Sequence, residues 1–515
     1  MRISLFLLLW IIVSQLGAQD IKQGSMKYSV NGAGTVALVE CTVAQTGVLR
    51  VPSTIVHLGT SYRVNAIRSR ALVGQGIATL VLPAQLDTIG QDAFYDCSLL
   101  MSVSGLKEVD VCEAYAFSRT SLKTLDWSQV TIGTMGHGVF AGCTQLTEAL
   151  LPSQLTSLPE ALFRDCTSLT SVNTSSLPLS RIDARAFAGC SSLQDLSLPS
   201  TLIEIGDEAF AGMTSLASIS LPSSITTMGA YVFRGCTQLQ TLQLPDELVT
   251  LGDSPFLGCS NLREVSLPKK LSGIDENFIF ADCPVLESIK ISDGAYYYSS
   301  IDGVLYDLRG NKIIAYPAAR SRHTPPTLRT TSQPFAPGAL MGCQLAPVLS
   351  LPAPTTSLPR EVFAKTTGLQ KVQTPSRSNL STIESRAFAY SRDLTSVSLP
   401  AKLKTIGNAA FFGCSQISDV YTLLSVPPAL TDSVFASIVY ASAILHTPVG
   451  KAAVYSAAPG WMLFQNIQDD GATYIEKPIA EEGAQTTETY DLFGRRVSYP
   501  VRGIYISNGH KTLIR

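Results

Sequence analysis

The sequence predicts an α/β repeat solenoid, and three observations carry that prediction. An aromatic or leucine slot recurs about every 23 residues. It runs through Leu72, Phe94, Phe117, Phe140, Phe163, Phe187, Phe210, Phe233, Phe256 and Phe280, then through Leu340, Phe363, Phe388, Phe411 and Phe435. A Leu-x-x-Leu-x-Leu spacing follows the slot, as at Leu239, Leu242 and Leu244, and proline closes it at Pro83, Pro152, Pro199, Pro222, Pro245, Pro268 and Pro400. Cysteine returns three residues after the aromatic at Cys97, Cys143, Cys166, Cys190, Cys236, Cys259, Cys283, Cys343 and Cys414. A unit this short cannot bury an apolar face alone, so each must stack on its neighbours.

Within a unit each element has its reason. Leu242 and Leu244 alternate with polar residues, as a short strand with one buried face requires. Proline cannot donate to a sheet ladder, so it ends the strand at the same place in each coil. Leu248 and Leu251 follow, then Gly252, read as a turn residue with unusual backbone angles. The Ala-Phe-x-Gly-Cys stretch is too short for a stable helix and predicts one helical or 3₁₀ turn with the ring inward. Neighbouring coils should pair through parallel strands at roughly 4.8 Å per coil.

Of the eleven cysteines, only Cys41 and Cys112 fall outside the slot. Met213 occupies it in one unit and Gln75 in another. A position that accepts methionine points to a small buried hydrophobe rather than a disulfide or metal ligand, and no Cys-x-x-Cys spacing occurs.

The ends differ from the middle. Arg2, the apolar run Ile3 to Val13 and the small-residue site Leu16-Gly17-Ala18 read as a secretory signal over residues 1–18. The run is about half the roughly 20 residues a bilayer span needs. Charged residues make up 15% and the net charge is −2, so no basic field is available for nucleic acid or an anionic membrane surface.

The run Ile-Gly-x-x-Ala-Phe-x-Gly-Cys-x-x-Leu-x-x-Leu-x-Leu-Pro-x-x-Leu stands nearly unbroken from Ile182 to Leu202, Ile205 to Ile225 and Ile406 to Val420. It resembles the repeat of the BspA-like leucine-rich repeat surface proteins of bacteria and protozoa. The resemblance implies leucine-rich-repeat coils at 67–292 and 326–436, the second block being irregular at its proline-rich start. It also implies a β-rich N-terminal cap at 19–66, carried by Leu49 to Thr54 and Gly59 to Val64. A β-hairpin insertion at 293–325 is carried by Ser300 to Asp307 and Ile313 to Pro317. A C-terminal cap at 437–470 is carried by Gly450, Tyr455, Trp461 and Phe464. Residues 471–486 read as a linker. Residues 487–515 form a small β-hairpin module with Asn508-Gly509 as its turn, and are similar to the sorting domains of the type IX secretion system of Bacteroidetes.

No chemistry-bearing constellation appears. His57, His137, His323, His446 and His510 are scattered, and no Gly-x-Ser-x-Gly elbow or phosphate loop occurs. No catalytic residue, metal site or cofactor is therefore expected. A surface hydrolase would need His323 to cluster with acidic residues in 320–345. Asp469-Asp470 reads as a polar turn at a domain end.

Binding is the expected role. The resemblance implies protein partners, either host matrix or plasma proteins such as fibronectin and fibrinogen or other bacterial surface proteins, and the tail implies secretion machinery. The alternative is a structural envelope or spacer protein without a specific ligand. The outward strand positions are small and polar: Asp195 and Ser197, Ser218 and Ser220, Thr241 and Gln243, Glu264 and Ser266, Ser288 and Lys290, Ser396 and Ser398. Hot spots favour Tyr, Trp and Arg, which directs attention to Tyr296, Tyr297, Tyr298, Tyr306 and Tyr316 of the insertion. Packing of these rings against neighbouring coils is the competing role.

Overall fold

The computed structural model describes residues 20–470 except 42–46, 275–277, 323–325, 327, 329, 376 and 432, with three further strands at Thr489–Tyr490, Gly503–Ser507 and His510–Ile514. The signal segment 1–18, the linker 471–486, Asn508-Gly509 and His323 lie outside the described residues.

The chain winds into a solenoid of about 17 coils. Most coils contribute to two parallel ladders, where one was expected. The first uses the Leu-x-Leu strand, as where Thr241–Gln243, Glu264–Leu267 and Ser288–Ile291 pair in register. The second uses the Ile or Leu before the glycine. Ser157–Leu158, Arg181–Ile182, Glu204–Ile205, Thr227–Met228 and Thr250–Leu251 form one five-stranded sheet of this kind. A β-branched or aliphatic residue buried at the same height in each coil favours this pairing. Helix among the described residues is confined to Ser437–Ser442, Ala452–Ala457 and three 3₁₀ turns.

The segment carrying the aromatic slot closes with hydrogen bonds three residues apart, such as Tyr95 N–H to the Asp92 carbonyl (3.0 Å) and Cys97 N–H to the Phe94 carbonyl (3.2 Å). Backbone handedness alternates along it. The residues two before and two after the slot have positive φ, as at Asp92 (54°) and Asp96 (58°), or Glu208 (54°) and Gly212 (72°). Alternation turns every second N–H along the solenoid axis. Asp92, Phe94 and Asp96 donate to the carbonyls of Ala114, Ala116 and Ser118 in the following coil at 3.0, 2.8 and 3.0 Å. Glu208, Phe210 and Gly212 do the same to Ala230, Val232 and Arg234. This third, one-directional ladder offsets a left-handed backbone that costs roughly 1–2 kcal/mol at each non-glycine position.

Gly252 departs from its expected role. Its φ is not in the left-handed region. The preceding coil instead approaches so closely that a Cβ on Gly252 would lie 2.3 Å from the Ala230 nitrogen. Gly90, Gly206, Gly229 and Gly407 occupy the same crossing.

The core is a column. Phe94, Phe117, Phe140, Phe163, Phe187, Phe210, Phe233 and Phe256 are fully buried, and their consecutive ring centroids lie 5.0 to 6.2 Å apart. Phe411 continues the second block's column between Phe388 and Phe435, at 5.1 Å from each.

Beside the rings runs a column of thiols. All eleven cysteines are free. Each slot thiol donates to the carbonyl of the aromatic-slot residue one coil earlier: Cys166 to Phe140 (3.1 Å), Cys190 to Phe163 (3.1 Å), Cys236 to Phe210 (3.2 Å), Cys414 to Phe388 (3.0 Å). Thr120, Thr366 and Ser391 stand in the slot elsewhere, and the hydroxyl of Ser391 reaches Phe363 in the same way at 2.6 Å. The slot thus suits a small side chain with one donor. Burial pushes Cys97 and Cys143 up to about 11 and Cys259 and Cys414 to about 12, and raises Cys283 well above the ordinary thiol value. Cys190→Ser should therefore cost less than about 1.5 kcal/mol, whereas Cys190→Ala, which removes one of the two donors to the Phe163 carbonyl and leaves a void, should cost more. Urea unfolding of the two variants checks the order.

At the N-terminal end, Asp20–Gln23, Met26–Gly32 and Thr35–Cys41 form an antiparallel run. It joins the second ladder when Thr35–Cys41 pairs parallel with Thr60–Ile67. At the C-terminal end, Ile444–His446 and Asn466–Gln468 extend the first ladder. Trp461 is buried there and donates from Nε1 to the Pro428 carbonyl (2.6 Å), and the Tyr455 hydroxyl donates to the Leu424 carbonyl (2.9 Å). In the tail, Gly503–Ser507 pairs antiparallel with His510–Ile514 and with Thr489–Tyr490.

Candidate binding surfaces

The insertion is a three-stranded antiparallel meander of Tyr298–Ile301, Val304–Asp307 and Ile313–Ala315. Asp302 and Gly303, both with positive φ, make the tight turn between the first two. Its tyrosines divide by location. Tyr298 (5% exposed), Tyr306 and Tyr316 are buried. The Tyr298 hydroxyl accepts the Ile274 N–H at 3.0 Å. Tyr316 takes the aromatic slot of its coil, since the Cys343 thiol points at its carbonyl (3.6 Å). Tyr296 (56%) and Tyr297 (53%) are exposed and meet edge to face at 6.4 Å. Tyr296 N–H bonds the Lys269 carbonyl (3.1 Å), which sets this pair beside the Lys270–Glu247 ion pair.

The strand face is mostly polar, with Val48 an exposed exception. Its exposed rows are knit by ion pairs between coils, Lys290 to Glu264 (2.7 Å) and Arg263 to Glu287 (2.9 Å). Exposed pairs of this kind contribute about 0–1 kcal/mol.

The turn edge is different. Several of the left-handed positions flanking the aromatic slots carry large side chains, namely Tyr115, Arg119, Arg185, Tyr231, Phe278, Lys365, Arg386 and Tyr390, while small or acidic residues and glycine fill the others. Arg119 lies over Tyr95 (5.6 Å), and Tyr115 meets His137 edge to face (4.9 Å). Where the insertion separates the repeat blocks, the turn edges on either side enclose a groove of about 710 Å³. Tyr231, Phe278 and Asp282 stand on the first block's wall, and Arg360, Lys365, Tyr390 and Phe412 on the second's. Lys365 Nζ reaches both Asp282 oxygens at 2.7 Å across the groove. The Arg360 guanidinium sits 4.6 Å over the Phe278 ring. That ring is seated against Gly338, where a Cβ would come within 2.4 Å of it.

Sequence reasoning read the strand face as small and polar, turned to the insertion, and passed over this edge. A partial signal was present: several positions two before or two after an aromatic, such as Tyr115, Arg185, Tyr231 and Tyr390, hold Tyr or Arg where the strand positions hold Ser and Thr, while others hold Gly, Asp or Ala. Only the left-handed backbone reveals that they project.

A second polar cluster lies in the C-terminal cap. His446 is buried, stacked on Tyr421 at 4.3 Å, with Nε2 3.0 Å from Asp419 and Nδ1 2.5 Å from Asp470. Asp469 accepts the Gly450 N–H (2.7 Å). Both ring nitrogens are engaged by carboxylates, so neither is left to activate a nucleophile. No group of three His, Cys, Asp or Glu placed to hold a metal occurs among the described residues. The third clustering, around His323, lies outside those residues.

Burial pulls the His446 pKa down, but the hydrogen bonds and charges of Asp419 and Asp470 outweigh it and hold the imidazolium above its ordinary value. A folded value above the unfolded one means the stabilisation is fully present below about pH 6.5 and is lost as pH rises through the folded value. Hydrogen exchange at Leu445 and Ile467 should therefore speed up between mildly acidic and mildly alkaline pH beyond its intrinsic increase. In His446→Gln that excess should disappear.

A family model described as the BspA type leucine rich repeat region matches six copies, over residues 65–194, 180–300 and 335–444, well over half of the chain. The chain belongs to the BspA-type leucine-rich repeat family. Among solved structures, a leucine-rich repeat protein from Bacteroides ovatus is 22% identical, covering 78% of this chain and 94% of that one at a TM-score of 0.46. A leucine rich cell surface protein from Faecalibacterium prausnitzii is 19% identical, covering 88% and 95% at a TM-score of 0.37. The pneumococcal vaccine antigen PcpA is 14% identical, covering 87% and 98% at a TM-score of 0.32. No curated protein matches the chain. Leucine-rich repeats of this kind generally mediate protein–protein interaction and are typically non-enzymatic. Among the described residues of this BspA-type chain, no helix is long and apolar enough to cross a membrane.

Proposed function

We propose that the chain is exported and displayed at the cell surface as an adhesive binding protein. Residues 1–18 act as its secretory signal, and residues 487–515 as a sorting tail of the type IX kind. Its targets are host matrix or plasma proteins, or the surfaces of partner bacteria, and many displayed copies strengthen individually weak contacts. The observation that carries this reading is the turn-edge groove, where Tyr, Phe and Arg, the side chains that dominate interface energetics, converge on a concave surface.

The test is retention of the purified full chain on immobilised matrix proteins, plasma proteins and bacterial cells. Retention that falls in Tyr390→Ala and Phe412→Ala, and persists in Thr241→Ala on the strand face, supports the reading. No retention of purified or displayed protein on any surface refutes it.

A structural spacer is the second reading, favoured by the ion-paired, small polar strand face. A deletion strain with altered envelope integrity and normal adhesion would select it.

A further inference from the structure

We propose that the turn-edge groove binds a neutral carbohydrate, an inference that rests on the binding function above and names the chemistry of the ligand. Two rings are presented there to solvent. Tyr390 is 46% exposed and Phe412 41%, set edge to face at 5.6 Å. Tyr390 lies on Gly413, where a Cβ would come within 2.6 Å of the ring, so the missing side chain fixes the ring's seat. A held, exposed aromatic face suits the C–H face of a pyranose, which is apolar on that side and polar at its rim.

Most of the charges in the groove are already paired. Lys365 is bound by both oxygens of Asp282, Arg386 stands 3.6 Å from Glu361, and Arg360 covers the Phe278 ring. An ionic ligand would have to break one of the two ion pairs, or draw Arg360 off the Phe278 ring, to gain a partner. A neutral ligand need not, because guanidinium and carboxylate groups keep lone pairs and N–H groups free for vicinal hydroxyls. The volume of about 710 Å³ lies within the usual range of ligand sites.

An extended peptide fits less well. Peptides that lie along β structure take their affinity from free main-chain donors and acceptors. On this edge the N–H groups are spent between coils: Lys365 to Ala389, Arg386 to Asn408 and Tyr390 to Phe412, at 2.8, 3.0 and 2.7 Å. What remains is side chain, largely paired in charge, with rings exposed.

The experiment titrates the full chain by calorimetry with short fragments of neutral mannan, galactan and glucan, and with sialylated and sulfated oligosaccharides as the ionic arm. Binding of at least one neutral fragment, weakened about tenfold or more by Phe412→Ala and Tyr390→Ala but kept within about twofold by Tyr390→Phe, supports the proposal. Circular dichroism and melting of each variant verify that it is folded. In parallel, retention on a matrix glycoprotein is measured before and after enzymatic removal of its glycans. Loss on deglycosylation supports the proposal. Undiminished retention overturns it while leaving the binding function standing, as does binding confined to the ionic oligosaccharides or insensitive to both ring substitutions. Failure of every sugar and every surface overturns both.

Discussion

Phe210→Ala is expected to cost about 3–5 kcal/mol, the range for emptying a fully buried aromatic site. The ring is wholly buried between Phe187 at 6.2 Å and Phe233 at 5.6 Å. Its backbone is also a junction, since its N–H reaches the Val232 carbonyl (3.0 Å) and its own carbonyl receives the Cys236 thiol (3.2 Å). Collapse of the void is therefore opposed by hydrogen bonds to the following coil. In a solenoid each unit contacts only its neighbours, so the loss should be local. Hydrogen exchange should accelerate in the coils of Phe187, Phe210 and Phe233 while the N-terminal cap stays protected. A loss below about 1 kcal/mol, or uniform acceleration along the chain, would contradict the columnar core.

Gly252→Ala should be comparably damaging for a different reason. The added Cβ would sit 2.3 Å from the Ala230 nitrogen and 2.5 Å from the Gly229 carbonyl carbon. Backbone cannot rotate away as a side chain can, so the coils must part. Parting them weakens the Gly252 N–H to Met228 carbonyl bond (2.9 Å) and the Thr227–Met228 to Thr250–Leu251 pairing. Overpacking costs about 1–3 kcal/mol before those bonds are counted. Gly235→Ala is the control: its φ is +71° but the nearest atoms to a Cβ lie 3.9 Å off. Tyr231, Glu208 and Ala409 hold related left-handed positions, so this change should cost about 1–2 kcal/mol. A melting series that ranks Gly235→Ala as the worse variant would sink the close-approach argument.

The legible part of this molecule was the part that repeats. Period, aromatic slot and Leu-x-Leu spacing report burial, and burial at fixed intervals constrains a coil strongly. The second ladder was harder to read because two paired residues, such as Glu204–Ile205, carry too few side chains to establish alternation. Gly252 was misread because glycine marks both unusual dihedrals and close backbone approach, and sequence alone does not separate them. Tyr316 was hidden because its slot lies within the insertion and lacks the Gly-Cys pair that follows the aromatic in most units. The groove was least visible of all. It depends on turn edges from two blocks being brought together, as Asp282 and Lys365 are across 83 positions of chain.

The thiol column has a consequence for how the molecule must be made. Successive slot cysteines such as Cys143, Cys166 and Cys190 are protected only after their coils have stacked. Before that they are loose thiols about two dozen residues apart, a loop length that closes within roughly a microsecond. Any oxidant met at that stage can link neighbours that the finished coil keeps as hydrogen-bond donors. Assembly is therefore a race between stacking and oxidation. Each Thr120, Thr366 or Ser391 in the slot keeps a hydrogen-bonding hydroxyl in a position that can never be cross-linked.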